Sequence, residues 1–287
     1  MSKSNKTSMR VLYTPESRIR NPLMLLREMG RDLLASRELA WRLLVRDISA
    51  QYRQSLLGIL WAFFPPIITA LGLVAAKNAG VVNIGVTDIP YPAYVMFSMS
   101  IWQTFTEALM GPLAAVGAAN QMLAKINFPK EAIILAKLGE IFFNFGIKLI
   151  LILGLFIWFK IPITWTVIPA FVAIIHLVIL GTGIGLFIAP FGVLYGDIGR
   201  LIPLIVTPWL LLTPVIYPVP KQGWFSTVVN WNPVTPLLTT ARDLATTGIV
   251  SDPTSFWLVS GLSFGLLLAA WVLYRLSMPF IIERMSS

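Results

Sequence analysis

The stretch from Trp165 to Phe191 reads WTVIPAFVAIIHLVILGTGIGLFIAPF, and it contains no Asp, Glu, Lys or Arg. A helix that crosses the hydrocarbon core of a bilayer needs about 20 predominantly apolar residues. This stretch meets that requirement and predicts a membrane-spanning helix. The whole chain has the same character, since 56% of its 287 residues are hydrophobic, 12% are charged, and its mean hydropathy is +0.77. An ordinary soluble domain carries about 25% charged residues, so the composition excludes that class.

Five further apolar segments lie on the two sides of this stretch. Leu201–Tyr217 is the shortest, and its prolines Pro203, Pro208 and Pro214 predict a short or broken helix. The sequence therefore predicts an all-α integral membrane protein with six transmembrane helices. The six predicted spans are about 56–76, 92–115, 138–159, 165–191, 201–217 and 254–274.

The residue types that the chain lacks exclude several kinds of chemistry. There is no Cys, which excludes a disulfide framework, a thiolate nucleophile and a cysteine metal site. His176 is the single His, so a multi-histidine metal site is excluded, and we expect His176 to be a hydrogen-bonded core residue. We predict no catalytic residue and no metal site. The net charge of +9 is typical of a membrane protein with basic cytoplasmic loops, and no nucleic-acid partner is expected.

The distribution of Lys and Arg predicts the orientation. With the N-terminus in the cytoplasm, 17 of the 22 Lys and Arg residues, including Arg275, lie on the inside, and Lys148 lies within a span. The four on the outside are Lys77, Lys160, Lys221 and Arg242. Cytoplasmic loops carry an excess of these residues, so both termini are predicted to be cytoplasmic. The first apolar run begins only at Leu56, and no cleavable signal peptide is expected. Residues 1–21 are predicted to be a flexible tail.

Residues 22–50 predict an amphipathic helix at the cytoplasmic membrane interface. Pro22 suits a first helical turn, and Ser36 is placed to cap a second helix. Arg and Glu residues fall on the face opposite an apolar stripe, and this pattern favours a helix that lies in the headgroup layer of the membrane. A merely solvated helix would explain the charges but not the stripe. The stripe consists of Leu26, Met29, Leu33, Ala40, Leu44 and Ile48.

The loop 123–137 places several polar residues between two long apolar segments. Pro129 favours the first turn of a new helix, with Glu131 near its positive N-terminal end. The result is a short helix in a cytoplasmic loop, with Ile126 and Phe128 near its start. An exposed aromatic residue in a basic setting is typical of a docking site for another protein, and an ordinary loop is the alternative.

The outer segment 218–253 is too long for a hairpin connection and too polar for a span. Its apolar pieces, Trp224–Val229 and Val234–Leu244, are shorter than a bilayer and favour re-entrant or interfacial helices. Trp224 and Trp231 are expected to anchor these pieces at the membrane interface. The alternative is that they gate or line a path for substrate.

Four stretches carry a family resemblance: RDISAQYRQSLLGILWAFFPPI (46–67), KINFPKEAI (125–133), YGDIGRLIPLIVTPWLLLTPVIYP (195–218) and WNPVTPLLTTARDLATTG (231–248). Together they resemble the permease subunits of polysaccharide-exporting ABC transporters of the ABC-2 type, which move O-antigen, capsule or teichoic-acid chains. The resemblance covers about residues 22–280, which is nearly the whole chain.

The resemblance implies a six-helix half-transporter of the bacterial inner membrane that works as a homodimer. Its partners would be two copies of a separate ATPase, membrane lipids and a lipid-linked polysaccharide. ATP and Mg would bind to the ATPase, and this chain would hold no cofactor. The loop between spans two and three would form a coupling helix seated in a cleft of the ATPase, and short re-entrant helices would follow span five.

Particular residues are predicted for these roles. Coupling to the ATPase falls on Ile126, Asn127, Phe128, Pro129, Lys130 and Glu131. The end of the interface helix and the entry to the first span carry Arg46, Asp47, Tyr52 and Arg53. Carbohydrate rings stack on aromatic faces, so aromatic residues in or near the spans are candidates for the substrate path. The candidates for path or gate are Trp61, Trp102, Glu107, Lys148, Trp209, Tyr217, Trp224 and Trp231.

Ionisable residues within spans are costly in lipid and are functional candidates. Pairing inside the bundle is the favoured interpretation of Glu107 and Lys148, and a role in the substrate path is the alternative. Gly181 with Gly185, and Gly261 with Gly265, form small-xxx-small pairs that predict close helix packing within or between protomers.

Three other functions compete with polysaccharide export. An ABC-2 exporter of drugs or small lipids is the nearest alternative. A proton- or sodium-coupled transporter would need ionisable groups at broken helices near the midplane, and it would leave the docking loop unexplained. A membrane-bound glycan enzyme would need clustered Asp, Glu or His. The chain contains no G-x-x-x-x-G-K-[ST] motif, so it has no P-loop of its own.

Overall fold

The computed structural model describes residues 22–53, 58–81, 84–126 and 128–286, and within these ranges it is helical and contains no strand. A short 3-10 helix, Gly58–Ala62, lies between the second and third α-helices. The α-helices are α1 (Pro22–Ala35), α2 (Arg37–Arg53), α3 (Phe64–Asn78), α4 (Tyr91–Ala118), α5 (Asn120–Lys125), α6 (Glu131–Trp158), α7 (Val167–Leu194), α8 (Gly196–Leu211), α9 (Trp224–Trp231), α10 (Val234–Thr246) and α11 (Pro253–Ser286).

Helix α7 is the centre of the bundle and packs against α4, α10 and α11. Two glycines let α7 approach α4 closely. A Cβ atom at Gly181 would lie 2.8 Å from the backbone oxygen of Phe105, and one at Gly185 would lie 2.2 Å from that of Leu109. Any larger residue would push the helices apart, so this glycine pair works within one protomer as a contact surface. The second predicted pair, on α11, meets open space in this chain.

Three helices among the described residues are long and apolar enough to cross a membrane: Glu131–Trp158, Val167–Leu194 and Pro253–Arg284. They correspond to the third, fourth and sixth predicted spans. Helix α4 has 28 residues, a length of about 42 Å. Its hydroxyl groups, Gln103 and Glu107 make it less apolar than those three. The all-helical class is confirmed, and the six-span topology stays a prediction.

The first predicted span is shorter as a helix than expected, and the fifth lies earlier in the sequence, because α8 already begins at Gly196. Residues 54–57 lie outside the described ranges, and the chain then forms the 3-10 helix and the 15-residue α3, whose first turn contains proline. Helix α8 ends at Leu211 instead of Tyr217. Pro214 explains this end, because proline cannot donate a backbone hydrogen bond and disfavours helical geometry in the residue before it.

The predicted interface helix 22–50 is two helices, α1 and α2, and the second continues to Arg53. Ser36 separates them, as expected. Its hydroxyl donates to the carbonyl of Asp32 at 2.6 Å, so it closes the first helix and does not cap the second. Helix α2 packs along α6, which holds this pair of helices against the bundle.

The bundle has two different ends. The lower end consists of α1, α2, residues 128–131 and α11 from Tyr274 onward, where Arg275 contacts Asp32. The upper end consists of the segments 84–90 and 212–223 with α9 and α10, and there the Tyr91 hydroxyl donates to the carbonyl of Ile216. Helix α10 is almost wholly buried against α7 and α4. Two short helices were expected in 218–253, and their placement relative to a bilayer stays a prediction.

Candidate functional site

The predicted docking loop lies at the lower end, between α5 and α6. Ile126 has extended backbone and an exposed side chain, whereas Phe128, expected to be exposed, is half-buried against the lower core. Asn127 lies outside the described residues. The outward-facing apolar side chain of this loop is therefore Ile126.

The turn after Pro129 is the start of α6 and not a separate short helix. The amides of Ala132 and Ile133 donate to the carbonyls of Pro129 and Lys130, and α6 then runs without interruption from Glu131 to Trp158. The separate short helix is α5, which precedes the loop. The loop thus connects directly to a helix that crosses the bundle, and a displacement of its backbone would be applied to the end of α6.

Arg275 of α11 joins three elements of the lower end. Its guanidinium donates to Asp32 of α1 at 2.6 Å and to Glu131 of α6 at 2.9 Å, and Glu28 of α1 lies 3.8 Å away. The Arg275 side chain is only 12% exposed. The neighbouring Tyr274 hydroxyl donates to the carbonyl of Lys130 at 3.4 Å. We call Arg275 with Glu28, Asp32 and Glu131 the Arg275 cluster.

The Arg275 cluster was not predicted from the sequence, which indicates only that Arg275 is one of the cytoplasmic charges. Glu131 was expected to face a partner protein, yet it is buried and points to Arg275. A cavity of about 500 Å³ lies beside the cluster, between residues 128–131 and the α11 segment from Tyr274 to Ile282. The docking loop is therefore packed against the last helix of the chain as well as against α1.

The residues at the end of α2 divide into two groups. Arg46 and Asp47 form an exposed ion pair at 2.8 Å, and Arg53 is also exposed. Tyr52 points the other way, and its hydroxyl donates to Oδ1 of Asn144 on α6 at 3.1 Å. Partial burial, followed by the negative charges of Glu107 and Glu140, raises the pKa of the Tyr52 phenol. The phenol therefore remains a neutral hydrogen-bond donor.

A polar network lies inside the bundle where Tyr52 points. Lys148 of α6 donates to Oε1 of Glu107 on α4 at 2.5 Å, and Asn144 donates to Oε2 of the same carboxylate at 3.4 Å. The Lys148 side chain is 2% exposed and that of Glu107 is 32% exposed, so the ammonium group is buried inside the bundle and the carboxylate borders a cavity. The prediction that Glu107 and Lys148 pair inside the bundle is confirmed.

This network lines a cavity of about 340 Å³, which we call the inner cavity. Trp61, a predicted path residue on the 3-10 helix, lines it as well. The remaining polar lining comes from Gln51 and Gln103. The structure thus brings three of the predicted path residues, Trp61, Glu107 and Lys148, to one site.

The predicted aromatic residues of the upper end do not form one surface. Trp102 is buried and packs edge-on against Trp209, so it belongs to the core. The Trp209 indole N–H donates to Oδ1 of Asn232 at 3.0 Å. Trp209, Trp231 and Asn232 line a third cavity, of about 480 Å³, which we call the outer cavity.

Two other predicted gate residues, Trp224 and Tyr217, lie at the upper end with Trp231. Trp224 and Trp231 are 78% and 84% exposed, and their role as interface anchors or gate residues stays a prediction. The Tyr217 hydroxyl donates to the carbonyl of Leu211 at 2.7 Å, and its ring contacts Phe225. Tyr217 therefore fixes the turn after α8.

Arg242 of α10 is a second residue whose location the sequence does not predict, since it was expected to be a charge of the outer loop. It is buried, lies over the ring of Tyr94, and donates to the carbonyl of Pro214 at 2.9 Å. It holds the turn after α8 to α4 and α10. His176 is a hydrogen-bonded core residue, as expected, since its Nδ1 contacts the carbonyl of Val172.

Comparison with known proteins supplies the context for these sites. The profile of the ABC-2 type transporter family matches residues 38–245. The O-antigen export system permease protein RfbA of Myxococcus xanthus is 25% identical over 243 residues, which are 84% of this chain and 92% of that protein. The polysialic acid transport protein KpsM of Escherichia coli is 22% identical over 249 residues, 81% of this chain and 91% of that protein. An RfbA protein of Klebsiella pneumoniae is 22% identical over 211 residues, 72% of this chain and 79% of that protein. The family match spans well over half of a chain with several membrane-spanning helices, and this chain belongs to the ABC-2 type transporter family.

Proposed function

We propose that this chain is the membrane subunit of an ATP-driven exporter that moves a lipid-linked polysaccharide, such as O-antigen, capsule or teichoic acid, across the bacterial inner membrane. The observation that carries the proposal is the similarity to both RfbA and KpsM, which covers more than four-fifths of this chain. Their names specify O-antigen export and polysialic acid transport. They favour polysaccharide over drugs or small lipids as the substrate class.

In this proposal the energy enters at the lower end, which faces the cytoplasm. ATP and Mg bind to a separate ATPase, two copies of which serve two copies of this chain. The loop 126–131 docks on the ATPase, with Ile126 as its exposed apolar contact and Lys130, four residues later, as its cation. Because α6 begins at Glu131, movement of the docked loop displaces α6, and the Arg275 cluster transmits it to α1 and α11.

Dimerisation is supported by apolar faces that have no partner among the described residues of one chain. Phe64, Ile68 and Leu71 form an exposed stripe on α3, and Leu201, Leu204, Ile205 and Leu211 form one on α8. Their spacing places each set on one face of its helix. We propose that these faces meet lipid and the second protomer, and that the polysaccharide passes between the protomers.

The proposed topology has six spans with both termini in the cytoplasm, α1 and α2 at the inner membrane interface, and α9 and α10 as re-entrant helices at the outer face. The path then begins near the inner cavity and ends at the outer cavity, where Trp209 and Trp231 offer aromatic surface. Trp224 lies beside it as an interface anchor. Tyr217 and Arg242 hold the frame of this exit.

The experiment that tests the proposal is purification of the tagged chain from its own host, followed by identification of the proteins that accompany it. We expect a P-loop ATPase to copurify with the wild-type chain and to be lost from the double variant Ile126→Glu plus Lys130→Glu. The matched control is Ile249→Glu plus Lys221→Glu, which changes an exposed Ile and an exposed Lys at the upper end. That control is expected to retain the ATPase.

A genetic measurement completes the test. Removal of the gene is expected to abolish the surface polysaccharide while lipid-linked chains accumulate inside the cell. If no ATPase copurifies in several mild detergents, or if both double variants lose it equally, docking through 126–131 is wrong. If surface polysaccharide is unchanged without the gene, export of polysaccharide is not the function.

A further inference from the structure

In the proposed topology, the inner cavity extends from the end of α2, where Gln51 and Tyr52 lie, to the middle of α4 and α6. Gln103 is close to the midpoint of the 28-residue α4, and Lys148 lies about 25 Å along α6 from its first residue. At this depth, polar groups that faced lipid would each cost several kcal/mol. An open cavity lined by amides and a Trp at mid-depth is therefore expected to face water or a polar solute.

The charges of the inner cavity are neutralised within the protein. Both oxygens of Glu107 accept hydrogen bonds, one from Lys148 and one from Asn144. The lining therefore offers no uncompensated charge to an anion such as a phosphate or to a cation. What it offers is neutral hydrogen-bonding capacity.

The amides that supply this capacity come from three helices. Within the described residues, the side-chain amides of Gln51 on α2 and Gln103 on α4 have no hydrogen-bond partner, and each can both donate and accept. Asn144 on α6 uses one N–H and one lone pair of its oxygen and retains one of each. Trp61 adds an aromatic face that is 58% exposed. Adjacent hydroxyl groups on an apolar ring face are the chemistry that such a lining complements.

We propose that the inner cavity is a binding subsite for an uncharged sugar unit of the exported polysaccharide. The Trp61 ring stacks on the sugar, and the amides of Gln51, Gln103 and Asn144 hydrogen-bond its hydroxyl groups. The Glu107–Lys148 pair and Tyr52 are positioning residues that fix Asn144. This inference rests on the proposed function and adds to it a place and a chemical class of sugar.

The test uses the natural absence of cysteine from the chain. A single Gln103→Cys variant is placed in the full complex, and its labelling by a small, water-soluble methanethiosulfonate reagent is followed in native membranes. The partner ATPase carries a hydrolysis-blocking substitution so that polymer stays in the complex. Labelling is compared between cells that synthesise the polysaccharide and cells in which its synthesis is blocked.

We expect rapid labelling without polymer and labelling about tenfold slower with it, as for a site whose ligand is at ten times its dissociation constant. Lys221→Cys, in the exposed upper loop, is the control and is expected to label equally in both. No labelling of Gln103→Cys in either state, or equal labelling in both, overturns the proposal. If ATPase copurification and export persist alongside such a result, the subsite is wrong while the proposed function stands.

A second measurement tests the chemical class. Gln103→Leu keeps the size of the side chain and removes its hydrogen bonds, and it is expected to slow export of a neutral polysaccharide about fivefold, the effect of one lost hydrogen bond. Gln222→Leu, in the exposed upper loop, makes the same change away from the cavity and should leave export unchanged. Wild-type rates in Gln103→Leu would overturn the role of the amide.

Discussion

Replacement of Arg275 by Ala is expected to destabilise the lower end strongly, because it leaves a buried carboxylate without its cation. Glu131 is 6% exposed, and Arg275 donates to it at 2.9 Å and to Asp32 at 2.6 Å. Removal of one partner of a buried ion pair costs about 3–5 kcal/mol. Asp32 and Glu28 are partly exposed and can be rehydrated, so the lower bound, about 3 kcal/mol, applies here. At roughly 2–4 °C per kcal/mol, the melting temperature should fall by about 6–12 °C.

A double-mutant cycle separates the ion pair from general damage. Arg275→Ala, Glu131→Gln and the combination are purified in the same detergent, and their thermal unfolding is compared. The double variant is expected to be more stable than the sum of the single effects predicts, by about 2 kcal/mol, since Glu131→Gln removes the stranded charge. Effects that add within about 0.5 kcal/mol would refute the argument.

The matched control is the pair Arg42–Glu38 on α2. Its atoms are as close, at 2.7 Å, but its side chains are 74% and 76% exposed. Exposed pairs of this kind contribute about 0.3–0.5 kcal/mol, so Arg42→Ala should leave the melting temperature nearly unchanged. A loss as large as that of Arg275→Ala would show that burial is not the source of the effect.

Two further perturbations test the packing and the inner network. Gly185→Ala is expected to lower the free energy of unfolding by several kcal/mol, because its methyl group would overlap the Leu109 carbonyl. Gly261→Ala meets open space and should leave the stability unchanged or slightly increased. Similar melting temperatures for the two variants would contradict the close approach of α7 to α4. Tyr52→Phe should lower the free energy of unfolding by about 1 kcal/mol, because the hydrogen bond to Asn144 is lost. Because the folded pKa of Tyr52 is raised above 10.0, the stability it contributes is fully present below pH 10 and is lost as the pH rises through the raised value. Alkaline melting curves of Tyr52→Phe should therefore fall less steeply than those of the wild type, and parallel curves would refute the assignment.

Local sequence patterns were sufficient to predict the long helices. The absence of charge predicts α7 from Trp165 to Phe191 and most of α11 from Thr254 to Tyr274, whereas the apolar length of α6 predicts that helix despite Glu140 and Lys148. Pro214 correctly signalled a short α8, although the end of the helix was placed too late. These features depend on neighbours in sequence, and composition and proline chemistry therefore determine them.

Contacts between residues that are distant in sequence could be predicted only where the cost of burial permits a single pairing. Glu107 and Lys148 are two opposite charges in apolar helices, so the cost of burying either alone predicts their pairing. Arg275, by contrast, lies at the end of α11 where a free cytoplasmic charge is equally consistent with the sequence, and its partner Asp32 precedes it by more than 240 residues. The location of Arg242 was predicted wrongly for the same reason, because the polar sequence around it does not indicate that α10 is buried between α4 and α7.

The arrangement of α1 and α2 gives the two polar sites a common connection. Asp32 of α1 binds Arg275 beside the docking loop, and Tyr52 of α2 binds Asn144 beside the inner cavity. The two helices are joined at Ser36, and α2 also packs along α6. A force applied at the docking loop therefore reaches the inner cavity by two routes, through α6 itself and through α1 and α2. Because both routes end on Asn144, a change in the angle between α2 and α6 would break or re-form the Tyr52–Asn144 hydrogen bond and so alter the amide offered to the sugar.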